Sequence, residues 1–375
     1  MPAGSKLWCL IYRNSHSTQR KLSFGAYPAV TLEKARAKRD AAKALLADGI
    51  DPFEHARITE AHKLEAEAHT FGTLAAELLA KKKREGKASN TIGKRQWLYG
   101  LAGEAFSKRP IADITAQEVL RAIQVVEAKG LLETARRMRS SIGEVFRFAV
   151  ATGRATTDPT FALRGALAKP VVKHHAAITE PKALGGLIRA IDAFQGQRTT
   201  IAALKLMLLL FPRPGELRLA EWIEFDLEKA VWIIPAARTK MRREHRVPLP
   251  KQAMAVLEGL HPITGHGNLV FPGIVSVKKT ISENTLNLAL RRMGYGQDEM
   301  TSHGFRAVAS TLLNESGKFS ADAIERALAH QDKDAIRRIY ARGTFWDERV
   351  KMGCWWADYL DALKEGGKVI PIKRA

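Results

Sequence analysis

The amino-acid sequence predicts a multidomain protein that is mainly α-helical and carries small β elements. Apolar residues recur at helical spacing along most of the chain, whereas β-prone runs occur in only two places. A chain of 375 residues is also longer than one ordinary hydrophobic core can organise. Because 46% of the residues are hydrophobic, packed globular units can form. We therefore expect two or three domains joined by short linkers.

Residues 1–52 are predicted to form a small α+β unit. Two β-prone runs, 8–13 and 20–24, flank a polar turn and predict a hairpin. Thr31 is placed to cap a helix that ends before Gly49. A hairpin with one helix is marginally stable by itself. We therefore expect this unit to be incomplete or to lean on another domain.

Residues 53–69 predict a helical linker, since they are rich in Ala, Glu, Lys and His and have little to bury. Residues 70–168 predict an all-α bundle of four helices with short connections. The clearest local signal in this bundle is a capping box, in which Thr115 is followed three residues later by Glu118. A second linker is predicted at 169–177.

Residues 178–375 predict a mostly α-helical unit with a small antiparallel sheet. The runs 231–235 and 246–249 are β-prone and enclose the basic loop 238–244, which predicts a second hairpin. Helices are predicted on both sides of this hairpin. The last part of the chain, around 354–360, has the pattern of an amphipathic helix.

A pair of prolines predicts a helix junction in this unit. Pro212 and Pro214 end the strongly apolar helix 199–211 because each lacks a backbone N–H, and Pro214 biases Arg213 away from helical angles. A short helix is then predicted over 215–222. Arg213 is therefore expected where the backbone is held still and a side chain can be aimed.

A second candidate position lies at the start of the predicted helix 303–316. Thr301 or Ser302 is placed to cap this helix. His303 and Arg306 then share one face, at i and i+3, near the positive end of the helix dipole. Such a position suits a phosphate oxygen.

The charge balance predicts a polyanionic partner. The chain has 60 Lys and Arg residues against 39 Asp and Glu residues, a net charge of +21 and a pI near 10.0. The basic residues occur in clusters along the whole length, so we expect several domains to contact one long partner. The residues expected to face its phosphates are Lys94, Arg95, Arg136, Arg137, Arg139, Arg242 and Arg243.

Other classes of protein are not indicated. Cys9 and Cys354 stand far apart without a CxxC pattern, and the histidines lack metal-ligand spacing, so we predict no disulfide framework, no metal and no cofactor. We also find no apolar run near the length of a membrane span and no leader sequence. The expectation is a cytoplasmic bacterial protein associated with the nucleoid and not with a membrane.

The stretch 327–342 places the imidazole of His330 and the phenol of Tyr340 on either side of a short polar break. Its pattern alone is ambiguous. Ile336, Ile339 and Tyr340 fall at i, i+3 and i+4, so Tyr340 also fits a partly buried helix residue. The alternative is a nucleophile, which requires other chemistry-bearing residues elsewhere in the chain.

Those residues, taken in order, resemble the sequence boxes of the tyrosine recombinases, the phage integrase family. Residues 213–218, Arg-Pro-Gly-Glu-Leu-Arg, resemble the first box, His303-x-x-Arg306 the second, and Leu328-Ala329-His330 followed by Tyr340 the third. Residues 24–28, 48–52 and 355–360 are similar to segments of genomic-island and satellite-prophage integrases. The chain departs from the family pattern at Ala329, where glycine is common, and at Pro212.

The resemblance implies an arm-type DNA-binding domain at 1–52, a core-binding domain at 70–168 and a catalytic domain at 178–375. Together these would form a C-shaped clamp around duplex DNA. The family's amino-terminal domain usually has additional strands before Trp8, which again implies an incomplete domain. By the same resemblance the active form is a homo-tetramer on paired core sites, and the tail after Tyr340 docks on a neighbouring protomer.

The resemblance also implies a site-specific integrase that cuts and rejoins DNA through a 3′-phosphotyrosine without metal or ATP. It implies these catalytic residues: Tyr340 as nucleophile, Arg213 and Arg306 on the nonbridging oxygens, Lys240 as general acid, His303 in proton transfer and His330 on the scissile phosphate. The expected partners are core and arm attachment sites on double-stranded DNA, a host DNA-bending protein and an excisionase. A catalytically silent DNA-binding relative and a type IB topoisomerase are the alternatives.

Overall fold

The computed structural model describes residues 6–14, 18–170, 176–330 and 344–366, with only the backbone described at 61–67 and 105. The chain divides into two compact units, Met1–Val172 and Lys173–Ala375. This division falls within the stretch 169–177 that the sequence predicts as a linker. The finer limits of three domains stay a prediction.

The first unit begins with a hairpin and two helices. Its elements are β1 (Leu7–Arg13), β2 (Gln19–Ala26), α1 (Leu32–Ala47) and α2 (Pro52–Ala68). The two strands pair antiparallel, as predicted. The side chain of Thr31 accepts a hydrogen bond from the Lys34 N–H and caps α1. The hydroxyl of Tyr12 donates to the carboxylate of Asp51, which ties the hairpin to the start of α2.

A helical bundle completes the first unit. Its helices are α3 (Phe71–Arg84), α4 (Ser89–Gly100), α5 (Glu104–Ser107), α6 (Ala116–Glu127) and α7 (Leu132–Ala151), with 3₁₀ turns at Ile111–Asp113 and Ala162–Gly165. The four predicted helices and the capping box of Thr115 and Glu118 are confirmed. The single-turn helix α5 was not predicted. The core forms where Met138, Ile142 and Phe146 of α7 pack with Phe71.

The second unit is mostly helical with one small sheet. Its elements are α8 (Pro181–Ala193), α9 (Arg198–Leu210), α10 (Pro214–Arg218), β3 (Phe225–Asp226), β4 (Val231–Ile234), β5 (His245–Pro248), α11 (Lys251–Thr264), α12 (Thr285–Arg292), α13 (Gly304–Ser316), α14 (Ala321–Ala327) and α15 (Trp346–Lys364). Helix α9 is apolar on nearly every face and lies at the centre, where it contacts α8, α10, α11, α12, α13 and α15.

The sheet contains one strand more than the sequence predicted. Its order is β3-β4-β5, and all neighbours are antiparallel. Trp232 pairs with Phe225 on one side and with Val247 on the other. Since β3 has only two residues, it carries no alternating pattern that could identify it.

One further expectation is corrected by the structure. The short helix predicted over 215–222 ends at Arg218, because the N–H of Ala220 turns back to the Leu217 carbonyl and Glu221 then pairs with Leu269. The amphipathic helix expected around 354–360 is confirmed as α15, which contacts α8, α9 and α14 of its own unit. That the tail docks on a neighbouring protomer stays a prediction. No helix among the described residues combines the length and apolar character needed to span a bilayer.

Candidate active site

Arg213 lies at the predicted junction between α9 and α10, and Glu216 fixes it there. The Glu216 carboxylate accepts the Arg213 backbone N–H at 3.1 Å and its Nη1–H at 2.9 Å. Glu216 itself is buried, and these charge-assisted hydrogen bonds offset the cost of its burial. The first turn of a five-residue helix therefore holds both the backbone and the guanidinium of Arg213.

Arg213 and Arg306 are joined through carbonyl groups at the carboxyl ends of two helices. Arg306 donates to the Phe211 oxygen at 2.8 Å and to the Leu328 oxygen at 2.6 Å. Arg213 donates to the Ala329 oxygen at 3.0 Å. These carbonyls end α9 and α14, where no intrahelical donor exists, and a positive charge interacts favourably with the helix dipole. The arginines thus hold the two helix ends together.

His330 is the third member of this group. Its Nε2 lies 3.2 Å from Arg306 Nη2, and its Nδ1 lies 2.9 Å from a carboxylate oxygen of Glu325. Arginine has only donors, so Nε2 accepts, and Nδ1 carries the proton that is donated to Glu325. The neighbours of the ring therefore select one tautomer.

Two residues that present carbonyls to the arginines have left-handed backbones. Phe211 has φ of 40° and Ala329 has φ of 50°. This conformation costs about 1–2 kcal/mol for a residue with a Cβ. The sequence had marked Ala329 as a departure from the glycine common at this position, and the backbone gives the physical reason for glycine there.

The substitution Ala329→Gly is expected to raise the free energy of unfolding by about 1 kcal/mol, because it removes this strain. The matched control is Ala327→Gly, at the end of the regular part of α14, which should lower stability by up to about 1 kcal/mol. Urea denaturation of both variants checks the prediction. A loss of stability in Ala329→Gly comparable with that of the control would contradict it.

Arg213, Ala329 and His330 line a cavity of about 310 Å³ together with residues of the β4–β5 loop and of α15. Arg306 is not among the residues described as lining the cavity, but it contacts His330 and the Leu328 carbonyl. Burial and the nearby Arg213 lower the pKa of Arg306 to about 10, so its guanidinium stays charged at neutral pH. Burial and the Arg349 charge lower the pKa of His245, which also lines the cavity, to about 3. His245 is therefore neutral at neutral pH.

Lys240 and His303 are not among the residues described as lining this cavity, and both side chains are exposed. Lys240 lies in the β4–β5 loop, next to Thr239, whose hydroxyl donates to the Arg243 oxygen at 2.7 Å. His303 directly precedes α13, where the Thr301 hydroxyl accepts the Gly304 N–H at 3.1 Å. Of the two capping residues expected from the sequence, Thr301 is the one whose side chain accepts a hydrogen bond at the start of α13.

The base of the loop that carries Lys240 is held by a buried ion pair. Arg238 donates to the Glu224 carboxylate and to the Leu219 carbonyl. The indole N–H of Trp232 donates to Glu224 at 3.0 Å. Burial raises the pKa of Glu224, although Trp232 and Arg238 oppose the shift. These contacts fix where the loop leaves the sheet.

The predicted nucleophile, Tyr340, lies in the stretch 331–343, outside the described residues. Its assignment as the nucleophile therefore stays a prediction. The contacts of the described residues bring together Arg213, Arg306 and His330.

The predicted phosphate-facing residues of the first unit divide into two groups. Lys94 and Arg136 are exposed. Three others make internal contacts: Arg95 pairs with Glu144, Arg137 with Glu133, and Arg139 donates to the Thr160 carbonyl. The interpretation of Arg95 as a free DNA contact is weakened most, because Glu144 also holds Lys82. In the second unit, Arg242 and Arg243 are exposed, and Arg243 lines the cavity.

Arg349, in the first turn of α15, is among the cavity residues that the sequence interpretation missed. Only 5% of this residue is exposed. A signal was present, because Arg349, Met352 and Trp356 fall at i, i+3 and i+7 and so share the buried face of the helix. A charged residue on an apolar stripe is unusual and indicates a specific role.

Family models match three parts of the chain. The model described as arm DNA-binding domain matches residues 1–59, that described as phage integrase central domain matches residues 71–166, and that described as phage integrase family matches residues 179–345. Together they cover most of the sequence.

Individual proteins are similar over nearly the whole length. The integrase of Enterobacteria phage P4 is 39% identical over 375 residues, covering 96% of this chain and 84% of that protein. The prophage integrase IntA of Escherichia coli (strain K12) is 38% identical, covering 98% of this chain and 89% of that protein. A lambda integrase tetramer bound to a Holliday junction superposes with a TM-score of 0.60 at 18% identity, over 89% of this chain and 98% of that one, which shows a shared fold.

Proposed function

The chain belongs to the phage integrase family, and from this membership we propose that it is a site-specific tyrosine recombinase that integrates and excises a prophage or genomic island. It cuts and rejoins DNA through a 3′-phosphotyrosine intermediate. The observation that carries the proposal is the convergence of Arg213, Arg306 and His330 on the ends of α9 and α14. Three separate segments of the chain supply these groups.

The two arginines bind the scissile phosphate. Each guanidinium has five N–H donors, and the contacts with Glu216 and the helix-end carbonyls leave others for phosphate oxygens. In the transition state the phosphorus is pentavalent and its nonbridging oxygens gain negative charge, which two fixed cations stabilise. His330 adds a donor when it is an imidazolium, with Nδ1–H on Glu325 and Nε2–H on the phosphate.

The other groups move protons. The Tyr340 hydroxyl attacks phosphorus and loses its proton to His303, while the 5′-oxygen leaves and takes a proton from Lys240. Lys240 is suited to this task because its loop is anchored at Arg238 and Thr239, while its own side chain is exposed. The new phosphotyrosine ester conserves the energy of the old bond, so a second 5′-hydroxyl can reverse the step without ATP. The arginines supply the cationic charge that a metal ion would supply in other phosphotransferases.

The partners follow from the same family membership. We infer double-stranded DNA with paired core sites, and a homo-tetramer that assembles on them, since the similar lambda integrase forms a tetramer on a Holliday junction. The match of residues 1–59 to an arm DNA-binding domain supports binding to arm sites as well. A host DNA-bending protein and an excisionase would then set the direction of the reaction on nucleoid DNA.

A nicked suicide duplex that carries one core half-site tests the proposal. The half-site is read from the direct repeats that flank the element. The intact protein is expected to form a covalent adduct that withstands denaturation, in the presence of a chelator and without nucleotide. Tyr340→Phe should bind the duplex equally well and form no adduct.

Tight binding without an adduct from the intact protein would favour a silent DNA-binding relative. Strand exchange between two copies of the site, measured as recombinant product, separates the recombinase from a topoisomerase. Relaxation of any supercoiled DNA without such exchange would refute the recombinase assignment.

A further inference from the structure

Arg349 is a buried cation with an incompletely satisfied side chain. It lies in the first turn of α15 and is 5% exposed. Its Nη2 donates to the backbone oxygen of Arg246 in β5, whereas its Nε is buried and has no hydrogen-bond partner. A buried N–H without an acceptor is costly, so the charge of this guanidinium lies in an unfavourable setting that a nearby anion would improve.

The surroundings of Arg349 are strongly positive. The described lining of the cavity contains one carboxylate, that of Glu244, and five arginines. These are Arg213, Arg243, Arg246, Arg326 and Arg349. Burial, Arg326 and Arg246 lower the pKa of Arg349 to about 10. Among the described residues, none forms an ion pair with Arg349, whereas buried charges are normally paired. Arg213 differs in this respect, because it pairs with Glu216.

Two more features favour an anion at this place. The centre of the Trp346 indole ring lies 5.0 Å from the guanidinium carbon of Arg246 and 5.6 Å from that of Arg349. Both cations therefore interact with the same aromatic ring. The amino-terminal turn of α15 borders the cavity through Trp346, and the N–H groups of a helix start attract negative charge. The nearby Glu348 carboxylate is turned toward α14, where it accepts the Ser320 N–H at 2.6 Å.

We propose that Arg349, Arg246 and the first turn of α15 form a second phosphate subsite, which binds a phosphodiester next to the scissile one on the same DNA strand. The proposal rests on the proposed function, because that function assigns the scissile phosphate to Arg213 and Arg306. Each strand of duplex DNA carries one phosphate per about 3.4 Å of helix axis. A strand held at the first subsite therefore presents its next phosphates to the same cavity. Arg349 acts as a positioning residue that sets the register of the strand.

Equilibrium binding to half-site duplexes with a single neutral methylphosphonate linkage tests this subsite. One linkage at a time is neutralised on both sides of the scissile position. At one position, neutralisation should weaken binding of the unchanged protein on the order of tenfold. In Arg349→Met, neutralising that same linkage should no longer weaken binding, because the cation that interacts with it has been removed. Neutralising any other linkage should affect this variant as it affects the unchanged protein.

Two variants accompany this measurement. Binding by Arg246→Met should likewise be unaffected by neutralising that linkage. This variant retains strand β5, because Arg246 pairs with Ile233 through its backbone and its side chain is exposed. It therefore tests the subsite even if Arg349→Met fails to fold. Lys351→Met, which removes an exposed charge from the same helix, is the control and should keep the full penalty.

Equal penalties in the Arg349, Arg246 and control variants at every linkage would overturn the subsite. A rise in melting temperature with inorganic phosphate that depends on Arg349, without coupling at any DNA linkage, would assign the cavity to free phosphate and also overturn the proposal. Binding is read without cleavage. A failure to form the Tyr340 adduct would therefore refute the proposed function and leave the linkage measurement interpretable.

Discussion

Arg306→Met is expected to lower the rate of strand cleavage by at least about a hundredfold, the usual cost of removing one fixed donor to a developing oxyanion. The guanidinium of Arg306 is partly buried, charged and held by the Phe211 and Leu328 carbonyls, so no water can replace it with the same geometry. The rate is measured as single-turnover formation of the covalent adduct on the nicked half-site duplex.

Loss of stability is separated from loss of chemistry by a matched control. Arg218 of α10 donates to the Ile281 carbonyl and to the Thr280 hydroxyl, and its described contacts do not include Arg213, Arg306 or His330. Arg218→Met should therefore lower stability by about 1–3 kcal/mol, as Arg306→Met does, and leave cleavage by the folded fraction nearly unchanged. If both variants lost cleavage to the same extent, the assignment of Arg306 to the scissile phosphate would be refuted.

Trp356→Ala is expected to lower the free energy of unfolding by about 3–5 kcal/mol. The Trp356 side chain is fully buried, its ring meets Phe211 edge to face, and its indole N–H donates to the Leu208 oxygen at 3.0 Å. Its loss leaves a cavity against α9 and an unsatisfied carbonyl. In a protein with a total stability of about 5–15 kcal/mol, this is a large fraction.

The neighbouring Trp355 is the control, because it is only partly buried and stacks on Tyr359 at the surface of the unit. Trp355→Ala should cost about 1 kcal/mol, within the ordinary range for point mutations. Urea denaturation at two protein concentrations measures both. A midpoint of Trp356→Ala that shifted with concentration relative to the unchanged protein would show that α15 packs between protomers and not within one.

The parts of the fold that the sequence predicted correctly depend on local chemistry. Thr115 and Glu118 form a capping box because the hydrogen bonds close within one turn. Pro212 cannot continue α9 because it lacks a backbone N–H, and Pro214 begins α10 because its fixed φ suits the first helical position. The second hairpin was also predicted, because its two runs are β-prone. By contrast, the strand Phe225–Asp226 depends on its pairing with Trp232, and no local sequence pattern indicates that partner.

The candidate site divides in the same way. Arg213, Arg306 and His330 were identified by their order and residue types, and the structure shows how the chain joins them. Their connection through the Phe211, Leu328 and Ala329 carbonyls could not be predicted, because backbone oxygens carry no sequence signal. Arg349 was overlooked for a related reason. Its importance comes from like charges on β5 and α14, which are distant in the chain.

The carbonyls that hold the two arginines have a consequence for protein synthesis. Arg213 is held by an oxygen 116 residues later in the chain, and Arg306 by one 22 residues later. A chain that is still on the ribosome, or released before Leu328 and Ala329 are made, contains both arginines but not these hydrogen bonds. Incomplete products of translation therefore lack these hydrogen bonds, so the arrangement of Arg213, Arg306 and His330 forms only after residues 328–330 have been synthesised.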